Sequence, residues 1–155
     1  MILKKTIGLL FGGKSAEHEV FLQSEKNIID AIDKSKYDVL LIGIDKSGKW
    51  HLSDASYFLL NAEDPKLIAL NKTNNGVAIV PGETENQLFK IQDSKFLDEL
   101  DVIFPILHGT LGDDGSIQGM LRIANIPYVG SNVLGSAVSM DKDIAKRLLN
   151  AERVC

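Results

Sequence analysis

The apolar residues of this chain come in short runs whose spacing changes from one run to the next. Residues 6–11 (Thr-Ile-Gly-Leu-Leu-Phe) form one run, closed by Gly12-Gly13, and predict a buried strand. Val20, Ser24, Ile28 and Ile32 then recur at every fourth position, the period of one helix face. Ser15 stands where that helix needs a cap, and Glu17 and Glu19 fall in its first turn, where carboxylates suit the helix dipole. Residues 37–44 form a second apolar run and a second strand. Strand, helix and strand in this order make a βαβ unit, which implies parallel pairing.

Asp-Lys-Ser-Gly at 45–48 is a turn signal, with a short strand expected over 49–52. Residues 53–60 predict a short helix. Residues 62–95 carry a weak pattern, polar over 71–76 and apolar over 77–80, and predict an insertion containing a small hairpin. A third strong strand is expected over 100–107, with Pro105 near its end, where a missing N–H does least harm. Residues 116–124 read as a helix with Ile117, Met120, Leu121 and Ala124 on one face. Residues 126–129 read as a short strand, and 132–139 and 141–150 as two further helices. The pattern as a whole predicts an α/β domain of three layers around a mainly parallel sheet. The strands near 6–11, 38–44 and 101–107 should be adjacent in it.

Composition changes little in this picture. The chain has 155 residues, 45% of them apolar and 25% charged, the ordinary balance of a globular domain with a core of its own. A net charge of −4 gives no reason to expect nucleic acid or an anionic membrane as partner. The single cysteine, Cys155, makes no internal disulfide, and no Cys/His cluster suggests zinc. A cytoplasmic location is expected. The apolar stretch before Gly12 is too short to span a membrane and has no signal-peptide cleavage pattern.

Three segments could carry chemistry. The first, residues 11–20, contains a literal phosphate-loop spacing: Gly8, four residues, then Gly13-Lys14-Ser15. A phosphate loop needs a strand before its first glycine and a loop after it. Here Leu9, Leu10 and Phe11 follow that glycine, and seven residues precede it, so the reading is rejected. Asp45 would have been the magnesium-binding acid of such a site. Gly12-Gly13 instead reads as a tight turn at the carboxyl end of the first strand, the edge where open α/β sheets bind ligands. Glu17 would then stand at a helix start beside the crevice, favoured as an anion by about 0.3–1 kcal/mol. It either holds an ammonium group there or, with Glu19, only decorates the helix start.

The second segment, His108-Gly-Thr-Leu-Gly-Asp-Asp-Gly115, also follows a strand and precedes a helix. It brings His108 to the same sheet edge as Gly12, or else is a glycine-rich turn with solvated acids. Asp113 and Asp114 make a poor metal site, because adjacent residues on a turn rarely point the same way. The third segment, residues 130–142, has small residues that permit close helix packing. Its Lys142, at the start of the last helix, either reaches a phosphate or is a surface lysine.

Together the segments resemble a known family. Gly-Gly-Lys-Ser-Ala-Glu-His-Glu-Val at 12–20 is similar to the first signature of D-alanine–D-alanine ligases. His-Gly-Thr-Leu-Gly-Asp-Asp-Gly-Ser-Ile-Gln-Gly at 108–119 is similar to the second. Pro-Tyr-Val-Gly-Ser at 127–131 and Met-Asp-Lys at 140–142 complete the order. The resemblance implies a Rossmann-like pre-ATP-grasp domain over 1–139, with 140–155 as the start of an ATP-grasp region that this chain does not continue. It also implies ATP and Mg2+ as cofactors of the full-length enzyme, D-alanine as substrate, an acyl phosphate intermediate, a role in peptidoglycan precursor synthesis, and a homodimer. By the same resemblance, Glu17 helps hold the ammonium of the first D-alanine, Val20 lines that subsite, His108 lies near it, and Lys142 contacts nucleotide phosphates. Two positions depart from the family pattern. Phe21 stands where serine is usual and is expected to pack inward, and Asp113 stands where glutamate is common.

Overall fold

A computed structural model describes residues 4–14, 26–53, 59–60, 69–70, 75–85, 87–97 and 100–152. The expected first strand is β1 (Lys5–Gly12) and the second is β2 (Tyr37–Ile44), with residues 26–31 helical between them (α1). The chain continues through β3 (Trp50–Ser53), β4 (Leu59–Leu60), β5 (Ala69–Leu70), β6 (Gly76–Ile79), β7 (Leu88–Lys90), β8 (Lys95–Phe96) and β9 (Val102–Ile106). It ends in three helices, α2 (Ser116–Ile123), α3 (Val133–Met140) and α4 (Lys142–Ala151).

The main sheet has seven strands in the order β8-β7-β6-β3-β2-β1-β9. β1 lies between β2 and β9 and is parallel to both. From β2 outward through β3, β6, β7 and β8 every pairing is antiparallel. The α/β class and the adjacency of the three long strands stand. The sheet is mixed, and the expectation of a mainly parallel sheet describes one half of it. The reason lies in the connections. The βαβ unit must cross over to return parallel, whereas the tight turn at 45–48 sends β3 straight back along β2.

Side chains alternate along each strand and feed two cores. Leu9, Phe11, Leu41 and Ile106 pack on one face with Ile28, Ile29 and Ile32 around α1. Leu10, Ile42, Ile44, Ile103 and Leu107 pack on the other with Ile117, Leu121 and Ala124 of the α2 region. Helix, sheet and helix are the three layers anticipated from the apolar periods. β1 is wholly buried from Leu9 to Phe11 because both its faces are covered, which is why it reads as a continuous apolar run.

Two local expectations change. Residues 59–60 were expected in a helix and form β4, paired with β5; residues 54–58 lie outside the described residues. The expected strand at 126–129 is reduced to one parallel bridge between Tyr128 and Ile103. Ile103 N–H donates to the Pro127 carbonyl at 2.8 Å and Val129 N–H to the Ile103 carbonyl at 2.9 Å, which lays this segment beside β9. The small hairpin expected within 62–95 is the β6–β7 pair, extended by β8. Among the described residues no helix is long and apolar enough to cross a membrane.

Candidate active-site crevice

The first strand ends because the backbone turns left-handed: Gly12 has φ 81° and Gly13 φ 107°. Gly13 N–H still donates to the Ile44 carbonyl at 2.8 Å, which ties the turn to the end of β2. β9 ends nearby, with Ile106 in register beside Phe11, so His108 emerges at the same sheet edge as Gly12. Gly12, Gly13, Lys14, Leu107, His108 and Met120 line one cavity of about 180 Å³. The shared crevice anticipated from the two glycine-containing loops is therefore present. Gly8, by contrast, is buried within β1 between Leu40 and Ile103, and this excludes a phosphate loop starting there.

The His108 loop is held by its own acids. Asp113 Oδ2 accepts from Gly109 N–H at 3.1 Å, and Asp113 N–H donates to the Gly109 carbonyl at 2.9 Å. Asp114 Oδ2 accepts from Leu111 N–H at 2.8 Å and its Oδ1 from Ser116 N–H at 3.0 Å. Burial would raise the Asp114 carboxyl, but the N–H groups of Leu111 and Ser116 outweigh it and hold the group below its ordinary value. These bonds keep Leu111 left-handed at φ 68°, a conformation that costs a non-glycine residue roughly 1–2 kcal/mol. Behind the loop, buried Gln118 donates from Nε2 to the Gly112 carbonyl at 3.2 Å, fastening the loop to α2. His108 is half-exposed, with Nδ1 3.6 Å from Asp113 Oδ2.

The opposite wall comes from the β2–β3 hairpin. Ile44 pairs with Trp50, and Ile44, Gly48 and Trp50 all line the cavity. The turn is built on Asp45, which is 5% exposed. Its Oδ1 accepts from the Ser47 hydroxyl at 2.6 Å, Ser47 N–H at 2.8 Å and Lys49 N–H at 3.0 Å, while Oδ2 lies 3.2 Å from His51 Nε2. Burial alone would push the Asp45 carboxyl up; the Ser47 hydroxyl, the Lys49 N–H and the His51 ring hold it well below the usual carboxylate range. Asp45 is thus an anchor of the crevice wall.

Of the residues singled out in the sequence, His108 lies in this crevice. Lys142 is exposed at the first turn of α4, which is capped by the Asp141 side chain accepting from Asp143 and Ile144 N–H, and it is not among the residues lining the crevice. Glu17, Val20 and Phe21 lie outside the described residues. Sequence reasoning missed Gly48, Trp50 and Met120. The signal for Trp50 was present: a tight turn after β2 must place the first residue of the returning strand opposite the last residue of β2. Among the described residues, no group of three or more His, Cys, Asp or Glu side chains could hold a metal ion.

Comparison with known proteins points one way. A family model described as the D-ala D-ala ligase N-terminus matches residues 6–131. A D-alanine–D-alanine ligase from Oceanobacillus iheyensis is 69% identical over 147 residues, which is 95% of this chain and 40% of that protein. Among solved structures, the D-alanine-D-alanine ligase from Coxiella burnetii superposes with a TM-score of 0.79 at 35% identity, over 96% of this chain and 41% of the other. The VanG D-Ala:D-Ser ligase from Enterococcus faecalis gives the same TM-score and identity over 96% and 42%. The chain therefore spans about 40% of the length of the curated relatives it matches.

Proposed function

Because the chain belongs to the family of D-alanine–D-alanine ligase amino-terminal domains, we propose that it forms one wall of the subsite for the first D-alanine in a ligase of that kind. Such an enzyme joins two D-alanines with ATP and magnesium, by way of an acyl phosphate, in the cytoplasm, and supplies a dipeptide for peptidoglycan. The observation that carries the reading is the convergence of the Gly12-Gly13 turn and the His108 loop on one cavity. Glu17 receives the ammonium group and acts as the catalytic carboxylate, Val20 lines the subsite, and His108 stands beside the bound amino acid. The family resemblance supports these roles.

The described residues do not fit the magnesium ion. Asp45, Asp113 and Asp114 accept from backbone N–H groups and neighbouring side chains, and among the described residues no group of three or more His, Cys, Asp or Glu side chains could hold the ion. Lys142 offers one phosphate contact, whereas phosphoryl transfer needs several cations placed together. No step is therefore assigned to nucleotide or metal on this chain. The division at residue 139/140 is part of the same proposal, supported by α4 having no buried residue. Homodimer formation is proposed as well. Exposed Leu134, Ile144, Leu148 and Leu149 on α3 and α4 support it, because apolar patches tend to associate. Light scattering giving a monomer mass at high protein concentration would refute it.

The decisive assay mixes the purified chain with D-alanine, ATP and magnesium, then adds the remaining region of a related ligase as a separate chain. Alone, the chain should give no dipeptide or phosphate above background. With the added region, dipeptide should form, and Glu17→Gln should lower kcat/KM on the order of 100-fold. Turnover by the chain alone, or turnover indifferent to Glu17, would overturn the proposal.

A further inference from the structure

We propose that Lys14 is a specificity-determining residue of the crevice, whose ammonium group takes the carboxylate end of the small amino acid bound there. The inference rests on the reading of the crevice as an amino-acid subsite and adds to it the group that decides which way round the ligand lies.

Lys14 follows the Gly12-Gly13 turn, and it lines the crevice together with Gly48 of the β2–β3 turn. Its side chain crosses Gly48 so closely that a Cβ there would collide with Lys14 Cε and stand 3.0 Å from Nζ. The ammonium group is thereby delivered to the wall built by residues 45–48, and the absence of a side chain at Gly48 is what admits it. Both turns are held by backbone bonds: Gly13 N–H donates to the Ile44 carbonyl at 2.8 Å, and Gly48 N–H to the Asp45 carbonyl at 2.8 Å. A lysine stem ordinarily loses much rotamer freedom when it is ordered on a ligand. Here part of that freedom is already given up against the glycine.

The charge of the lining points the same way. Among the described residues that line the crevice there is no Asp or Glu, and Lys14 is the one Lys or Arg. Asp45, the acid of the neighbouring turn, is buried and accepts from Ser47 and Lys49 beside His51. The rest of the wall is largely apolar, formed by Ile44, Trp50, Leu107, Ile117 and Met120. Small-ligand sites of this make-up leave orientation to the few polar groups they contain. A cation at the edge of an apolar wall attracts a carboxylate and repels an ammonium group. Lys14 therefore selects for ligands with a carboxylate and sets that end toward the 45–48 turn.

The test needs no turnover. The lysine-labelled 155-residue chain is titrated by NMR with D-alanine, with propionate, which lacks the ammonium group, and with D-alaninol, which lacks the carboxylate. Lys14→Gln identifies the Lys14 signal. D-alanine and propionate should shift the Lys14 ε-methylene signal and the Gly12 and Gly13 amides. Lys34, which precedes β2 and so lies toward the opposite end of the sheet, should not respond. In Lys14→Gln with an intact amide spectrum, the Kd of D-alanine and propionate should rise by about two- to fivefold, the scale of an exposed charge pair. Lys14→Arg should keep most of the affinity, and D-alaninol should bind Lys14→Gln as well as wild type or more tightly. Unchanged affinity for both carboxylates in Lys14→Gln would overturn the proposal, and so would an equal weakening of D-alaninol, which marks a merely structural role. D-alanine bound in the crevice without regard to Lys14 would sink this inference and leave the subsite reading standing. Propionate bound through Lys14, with no crevice response to D-alanine, would leave the carboxylate-binding role standing and count against the amino-acid reading alone. Crevice amides silent toward both carboxylates would sink the two together.

Discussion

The two halves of the sheet solve different problems. In the parallel half, β2, β1 and β9 are covered on both faces, and Leu9, Leu10, Phe11, Ile42 and Ile103 are fully buried. In the antiparallel half the strands are shorter and half-buried, and the outermost carries exposed Phe96. The parallel half supplies stability and aligns two chain exits at one edge. The antiparallel half adds a wall to the crevice through its first hairpin. The difference shows why the site lies at the seam: only there does a rigid, doubly covered strand end beside a turn free to take the shape a ligand needs.

The largest effect should come from the centre of the parallel half. Leu10→Ala empties a position packed against both neighbouring strands and the α2 layer, and should cost about 2–5 kcal/mol in a denaturant titration. A loss under 1 kcal/mol would mean that the two halves share the load and the comparison fails.

The seam comes next. Asp45→Asn removes the charge that organises the 45–49 turn and should cost roughly 2 kcal/mol at neutral pH. The folded carboxyl is depressed, so its contribution is present above its ordinary value of 3.8 and is lost as pH falls below it toward the lower folded value. Melting curves of wild type and Asp45→Asn should therefore differ most near neutrality and approach one another in acid. A gap that stays constant down to acid pH would show that the ionised form is not what holds the turn.

A smaller effect is expected at Gly48, where φ is 87° and an added Cβ would collide with Lys14 Cε. Gly48→Ala should cost roughly 1 kcal/mol through backbone strain and push the Lys14 side chain off the crevice wall. An unchanged melting temperature together with unmoved Lys14 resonances would contradict this.

The smallest effect belongs to the far edge. Phe96 meets Phe89 edge-to-face with centroids 5.2 Å apart, and Phe96→Ala should cost about 1 kcal/mol or less. Hydrogen exchange should quicken in β7 and β8 and stay unchanged in β1 and β2. Faster exchange in β1 would show that the halves unfold as one unit.

Much of this was legible in the residues. β1, β2 and β9 announced themselves as apolar runs because strands covered on both faces need no polar alternation. Ile28 and Ile32 marked the buried side of α1, and Ile117, Leu121 and Ala124 that of α2. The edge shared by Gly12 and His108 followed from parallel pairing, which brings like ends together. The antiparallel half was harder to read, because strands of two to four residues leave too few positions for a period to show.

What the sequence by itself determined is the layered α/β domain, the family and the two loops that meet at the crevice. Local pattern decides burial, and burial decides layering. Only the tertiary structure decided the direction of the strands beyond β3, the place of Gly48 in the wall, the clamp of Asp113 on Gly109 beside His108, and the set of bonds that makes Asp45 a turn anchor. Each of these depends on which backbone groups remain unpaired once the sheet has formed, whether distant, as for the outer strands, or two to four residues away, as for Asp45 and Asp113, and no apolar period along the chain records that.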